Sequence, residues 1–331
     1  METDILNTTL TKQLKIKYPI ICGAMYPCSN PELIAAVSKA GGIGVVQPLS
    51  TIFVYQHDFR ASLKLIKNIT NNPFGMNVLI EKASQKYEDR MKRWVDIAIE
   101  EGCRFFVTAL GNPKWVVEKV KAVDGFVYHN VTEHKWAEKA VAGGVDGFIC
   151  INNRAGGHAG TLSQAELIDE LADFKLPMVA AGGIGNETDF ISALKLGYQG
   201  IQMGTRFIAS YECAAHQDYK NAVVKAKAAD IILTERVTGI PLSVIKTPHV
   251  EKVGTKIGPI SRLLFKHPLT KKWMRTFYNL LSFWKMKKSA VRGMTTKDYY
   301  QAGKSSDSIN EIEACSKIIE RFVTKAKELD E

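Results

Sequence analysis

Up to residue 230 the chain alternates between two hydrophobic rhythms. Short runs rich in β-branched and aromatic residues end on glycine or a polar residue. Each is followed by ten to fifteen residues whose apolar positions recur at helical spacing. The pairs read "YPIICGAM" then "NPELIAAVSKAG", "GIGVV" then "TIFVYQHDFRASLKLIKNIT", and "FGMNVLI" then "YEDRMKRWVDIAIEEG". "CRFFVTAL" with "PKWVVEKVKAV" and "GFVYHNV" with "EHKWAEKAVAGG" continue the series. "VDGFICI" with "SQAELIDELADF", "LPMVAAGG" with "ETDFISALKLG", and "YQGIQMGT" with "ECAAHQDYKNAVVKAK" close it.

Strands that alternate with helices run parallel, because each helix carries the chain back. Eight such units predict a closed (β/α)8 TIM barrel over residues 1–234. An open doubly wound sheet would place a glycine phosphate loop after the first strand. That position reads "CGAMYPCSNPE", without GxGxxG, and the glycine loops fall after strands six and seven instead. Asn30 stands as N-cap before Pro31, Gly41 closes the same helix, and Asn186 or Thr188 can cap the seventh. Residues 235–331 are expected to be a basic, mostly helical extension packed on the barrel.

Composition narrows the class. The chain has 331 residues, 46% apolar and 24% charged, which is globular. Its apolar runs stop short of the roughly 18 residues that a membrane helix needs. "METDILNTTLTKQ" lacks the basic start and apolar core of a secretory signal. Six scattered cysteines, with no CxxC pair, predict buried thiols in a reducing cytoplasm. Net charge is +10, but residues 246–292 hold twelve Lys and Arg against one acid, Glu251. The excess is therefore local. Residues 259–292 could form an amphipathic helix meeting anionic lipid, or could pack an apolar face on the barrel with the lysines solvated. The second is the expected arrangement, so neither a membrane nor a nucleic-acid partner is expected.

Barrel active sites lie at the C-terminal ends of the strands. The residues there include Gly23-Ala24-Met25, Asn77, Thr108, His129-Asn130, Asn152 to Gly160, Gly182 to Gly185, and Gln202 to Thr205. They form a ring of small, amide and hydroxyl residues. Converging carboxylates and histidines are lacking, so no metal is expected. "AAGGIG" and "MGTRF" follow strands seven and eight, where barrels commonly bind phosphate. Gly182, Gly183, Gly204 and Thr205 would form the cradle. Across the mouth, amides near Ala24 and Met25, with Asn77, suit a flat heteroaromatic edge. A flavin mononucleotide fits both ends. "NNRAGGHAG" places His158 on a glycine loop beside it, where an imidazole can exchange protons near neutral pH. His129 is a second pocket candidate. Trp94, Trp115 and Trp136 read as helix packing.

The ordered set "PIICGAM", "FGMNV", "AGGHAG", "PMVAAGGIG" and "GIQMGTRF" resembles the nitronate monooxygenase (2-nitropropane dioxygenase-like) family. FMN-dependent enoyl-ACP reductase II enzymes share these motifs. The resemblance implies an FMN-binding, metal-free barrel with His158 as the catalytic residue. It implies that Asn77, Gly156, Gly183 and Gln202 to Thr205 contact FMN, and with the strand-end reading the expected flavin set is Ala24, Met25, Asn77, Gly156, Gly157, Gly182, Gly183, Gln202, Met203, Gly204 and Thr205. It also implies an oxidoreductase that converts alkyl nitronates and O2 to carbonyl compounds and nitrite. NAD(P)H-dependent reduction of an enoyl thioester, with His158 donating the proton, is the alternative. A homodimer is compatible with either. One departure stands out. Relatives commonly read "QGxEAGGH" or "EGxEAGGH", whereas Ile151, Asn152, Asn153 and Arg154 stand here. Arg154, if close, would favour neutral His158. Near the C-terminus Lys304 replaces the Gln of a flavin-proximal "AGQ".

Overall fold

The computed structural model describes residues 4–81, 85–258 and 299–328, with Leu264, Thr270, Met274, Lys287 and Val291 described singly. The amphipathic segment at 259–292 thus lies almost wholly outside the described residues.

Eight parallel strands close a barrel: β1 (Ile20–Cys22), β2 (Ile43–Val46), β3 (Gly75–Ile80), β4 (Phe105–Leu110), β5 (Phe126–Val131), β6 (Gly147–Ile151), β7 (Met178–Ala181) and β8 (Gly200–Met203). Closure is made by β1, which pairs with β2 through Ile21 and Ile43 and with β8 through Ile21 and Gln202. The (β/α)8 fold is the one the alternating pattern predicts.

Strand pleat sorts the side chains. Ile21, Ile43, Val45, Phe105, Val107, Tyr128, Ile149, Val179 and Ala181 form the inner cluster. Their chain neighbours Ile20, Phe106, Val127, Phe148, Cys150 and Ala180 pack outward against the helices. A short helix absent from the sequence reading, α1 (Thr9–Leu14), plugs the bottom of the barrel with Leu10 and Leu14. Thr8 caps it and also donates its hydroxyl to the Gln199 carbonyl at 2.7 Å.

The outer layer holds α2 (Pro31–Lys39), α3 (Phe59–Ile69), α4 (Gln85–Glu100), α5 (Lys114–Lys121), α6 (His134–Ala142), α7 (Gln164–Glu170) and α8 (Glu187–Lys195). Two local readings change. The helical run after β2 breaks into a π-turn at Ser50–Val54 and then α3, which Asp58 caps by accepting from Ala61 N–H. Asn30 sits at the cap position of α2, but its side chain makes no cap bond. Its amide instead donates to the Glu212 carbonyl at 2.9 Å and accepts from Ala214 N–H at 3.0 Å, tying α2 to the loop beyond β8.

After β8 come α9 (Thr205–Ile208), α10 (Gln217–Lys225), the antiparallel pair β9 (Ile231–Thr234) and β10 (Leu242–Ile245), α11 (Pro248–Val253), and finally α12 (Cys315–Lys327). The helix that flanks both α2 and α8 is α12. Ile319 reaches to 3.5 Å from where a Cβ on Gly42 would stand, and Phe322 lies on Phe190 with ring centroids 5.7 Å apart. The final helix of the extension expected beyond residue 234 therefore fills the eighth position of the helix layer. Between β8 and α12, Ser243 and Gly303 reach the glycine loop after β6.

Trp94 is buried against Phe59, as expected, and Trp115 is partly buried. Trp136 is 40% exposed, and Lys135 and Lys139 lie over its ring. All six cysteines are buried free thiols. Among the described residues, no helix is long and apolar enough to cross a membrane.

Candidate active site

The site is built on strand parity. Counting two residues on from an inward position gives the top layer of the lumen: Gly23, Gln47, Asn77, Ala109, Asn130, Ile151 and Gln202. Three of the predicted residues meet at the β1–β8 seam. The side chain of Gln202 fills the space beside Gly23, 2.9 Å from where a Cβ would stand. Met25 Sδ lies 3.2 Å from the corresponding point on Gly204. Asn77 is buried on β3. Gln47, which the sequence reading passed over, is buried as well. The signal that finds it is parity, because it stands two residues beyond the inward Val45. The carbonyl oxygen of the Asn130 side chain is buried and has no hydrogen-bond partner among the described residues.

Parity removes two other candidates. Thr108 and His129 are paired in register on β4 and β5, one residue beyond the inward Val107 and Tyr128. Both face the helix layer. Thr108 Oγ1 and His129 Nδ1 lie 2.8 Å apart in a buried pair. Desolvation lowers the His129 pKa from 6.5 to about 4, so the ring is neutral and structural.

The loop after β6 is folded by Asn152, which is 1% exposed. Its side-chain amide donates to the Gly182 carbonyl at 2.9 Å and accepts from Arg154 N–H at 2.8 Å. Its backbone carbonyl accepts from Gly160 N–H at 3.2 Å, closing the glycine loop on itself. Gly156 and Gly157 are where a second segment arrives. Ser243 N–H donates to the Gly157 carbonyl at 2.8 Å, and Lys304 N–H donates to the Arg154 carbonyl at 2.9 Å. A Cβ on Gly156 would meet Gly303 N at 2.9 Å, which explains why the "AGG" of this loop lies against the "AGK" near the C-terminus. Lys304 thus has a backbone role in holding the loop. Thr205 supports the same segment, since its hydroxyl accepts from Gly303 N–H at 2.9 Å.

The loop after β7 has a glycine backbone. Gly182 and Gly183 have φ of +118° and +79°, which L side chains rarely adopt. Asn186 caps α8 by accepting from Asp189 N–H at 2.9 Å. Asp189 Oδ2 in turn accepts from Gly185 N–H at 2.9 Å and Asn186 N–H at 3.3 Å. Those two amides are therefore committed to a carboxylate. Met25 N–H is also committed, to Ser29 Oγ at 2.7 Å. Of the two amides expected to face a heteroaromatic edge, Ala24's remains.

His158 stands at the end of the glycine loop. Its Nε2 lies 3.3 Å from Thr238 Oγ1, on the turn between β9 and β10. The Thr238 hydroxyl donates to the Ile240 carbonyl at 3.0 Å, so it accepts from His158 Nε2–H. That assigns the Nε2–H tautomer and leaves Nδ1 as the basic nitrogen. The ring is solvent-accessible, yet it is walled closely enough that lost hydration lowers its pKa. Arg154, expected as a neighbouring influence, instead runs across Gly183, and burial is the cause of the shift. Thr238 carries no sequence signal that could have paired it with His158, eighty residues away.

A cavity of about 340 Å3 lies elsewhere, between the N-terminal ends of α4 and α5, lined by residues such as Leu79, Tyr87, Met91 and Trp115. It includes none of the mouth residues above. Among the described residues, no cluster of His, Cys, Asp or Glu could hold a metal ion.

Known proteins share this fold. FabK from Thermotoga maritima superposes with a TM-score of 0.81 at 29% identity, covering 98% of this chain and 97% of that one. A probable nitronate monooxygenase from Staphylococcus saprophyticus is 26% identical, covering 98% of this chain and 99% of the relative. A 5-hydroxy-7a-methyl-1-oxo-octahydro-indene-4-carboxyl-CoA dehydrogenase from Mycobacterium tuberculosis is 25% identical over 97% of this chain and 96% of the relative. The family model described as nitronate monooxygenase matches residues 7–325. With that match running nearly end to end over an eight-stranded barrel and its glycine loops, the chain belongs to the nitronate monooxygenase family of oxidoreductases.

Proposed function

We propose that the protein is an FMN-dependent enzyme that oxidises alkyl nitronates with O2 to carbonyl compounds and nitrite. The residues present fit the cofactor. Gly182 and Gly183 offer a positive-φ cradle in which neither position has room for a Cβ. The buried Asn130 Oδ1 is an acceptor at the mouth that no group among the described residues satisfies. Gly182, Gly183, Gly204 and Thr205 would hold the phosphate, while Ala24, Asn77, Asn130 and Gln202 would meet the ring system. When bound, FMN supplies the redox chemistry, and the protein supplies position and proton transfer.

The observation that carries the reading is His158 on the rigid "AGGH" loop with its Nε2–H given to Thr238. A neutral imidazole with a free Nδ1 can take the α-proton of a nitroalkane. The imidazolium so formed would pair with the nitronate anion and hold it in place. Lost hydration lowers the ring's pKa and so favours the neutral, basic form. The test is to mix the FMN-loaded protein with propionate 3-nitronate or ethyl nitronate and follow oxygen uptake and nitrite. Turnover with nitrite release is expected, and absence of both overturns the reading.

A second reading is NAD(P)H-dependent reduction of an enoyl thioester, with His158 as proton donor. The similarity to FabK and to a carboxyl-CoA dehydrogenase favours it, and the basic stretch 246–292 would attract a polyanionic thioester. Anaerobic mixing with NADH and then crotonyl-CoA separates the two. NADH must bleach the flavin and crotonyl-CoA must restore its colour for this reading to stand.

A further inference from the structure

Arg154 stands where relatives commonly carry an acid, and its position gives that exchange a purpose. The side chain lies across Gly183, with Nε 2.6 Å and Cδ 2.9 Å from the point a Cβ would occupy. Its backbone is pinned on both sides, by Asn152 Oδ1 at the N–H and by Lys304 N–H at the carbonyl. The guanidinium itself is exposed and has no ion pair or side-chain hydrogen bond among the described residues. A fixed backbone with a free cationic head is a preorganised arrangement for an anion.

The neighbouring amides show why a cation is needed. A helix N-terminus after β7 would ordinarily offer its N–H groups to a phosphate. Here Gly185 N–H and Asn186 N–H are taken by Asp189, while Glu187, the other acid in the first turn of α8, pairs with Arg321 at 3.2 Å. Two donors at this end of the loop are therefore spent on a carboxylate and not offered to an anion. Arg154 stands on the Gly183 side and can restore the balance.

We propose that Arg154 is a ligand of the nucleotide phosphate, closing the Gly182–Gly183 cradle with a guanidinium. The proposal rests on the FMN reading above. It makes this chain's flavin affinity depend on a charge-assisted contact from the loop after β6, and so on ionic strength.

The test compares FMN with riboflavin, which lacks the phosphate. Full-length protein stripped of flavin is titrated with each, and quenching of flavin fluorescence is followed for wild type, Arg154→Gln and Arg154→Lys. Arg154→Gln should weaken FMN binding about tenfold or more and leave riboflavin binding nearly unchanged. Arg154→Lys should recover part of the loss, and added salt should weaken FMN on wild type more than on Arg154→Gln. Equal loss for both ligands, or no loss for FMN, overturns the proposal even where wild type binds FMN well. If wild type shows no preference for FMN over riboflavin, the phosphate cradle itself falls, and the FMN reading with it. Thermal unfolding of the stripped variants identifies any loss that comes from misfolding, in which case Arg154→Lys decides.

Discussion

The side-chain amide of Asn152 donates to the carbonyl of Gly182 at 2.9 Å, joining the loop that carries the histidine to the glycine loop after β7. The same amide accepts from Arg154 N–H. Removing it leaves two half-buried backbone groups without this partner. Asn152→Ala should cost about 1–3 kcal/mol in urea unfolding and should weaken flavin retention. Unchanged stability would mean that the two loops hold their shape independently.

His158 is the residue whose loss should separate chemistry from binding. His158→Gln should retain flavin yet lower kcat/KM on neutral nitroethane by about 100-fold or more. On preformed ethyl nitronate the loss should be smaller, because the proton has already gone. Equal losses on both substrates would show that the ring positions the anion and does not act as a base.

Thr238 acts through His158. Thr238→Val keeps the shape but removes the acceptor for Nε2–H, so the tautomer and ring orientation are no longer fixed. Activity should fall by about three- to tenfold, roughly the effect of one neutral hydrogen bond. The acid limb of the pH–rate profile should also move. A merely structural role for Thr238 would leave that limb in place.

Gly183 has φ of +79° and Arg154 packed against it. Gly183→Ala should therefore destabilise the fold by about 1–2 kcal/mol and displace the Arg154 side chain. Flavin content measured by absorbance should drop with it. Full flavin content in a stable Gly183→Ala protein would count against a tight cradle there.

The buried His129 makes a prediction about pH and stability. Its folded pKa lies at about 4, below the ordinary 6.5, so the unfolded chain binds the proton more readily. The stabilisation is complete above pH 6.5 and is lost as pH falls toward 4. Between pH 7.5 and pH 5 the loss should be about 2 kcal/mol, measured by urea unfolding. His129→Asn, lacking a titrating group, should show less of this dependence on the acid side. Identical slopes would mean that the ring protonates in the folded state without cost.

Much of the fold was legible because a parallel barrel writes itself locally. Each strand has to be apolar on both faces, and each helix has to carry an apolar stripe. The eight-unit alternation follows from those two demands. The glycine loops were legible for a related reason, since the backbone of Gly182 and Gly183 excludes other residues. Pleat parity was available as well, and would have moved Thr108 and His129 out of the pocket and Gln47 into it.

What the chain alone determined was thus the set of elements and the rim that their strand ends form. The tertiary structure decided which distant segments complete that rim. α12 takes the eighth helix position after a long detour, although helical spacing pointed to the stretch directly after β8. Thr238 reaches His158, Gly303 packs against Gly156, and Arg154 turns to Gly183 and away from the histidine. Local periodicity reports which face of an element seeks burial, and it carries no information about the partner. Those partners are fixed by closing the barrel, a condition on the whole chain that no short stretch can express.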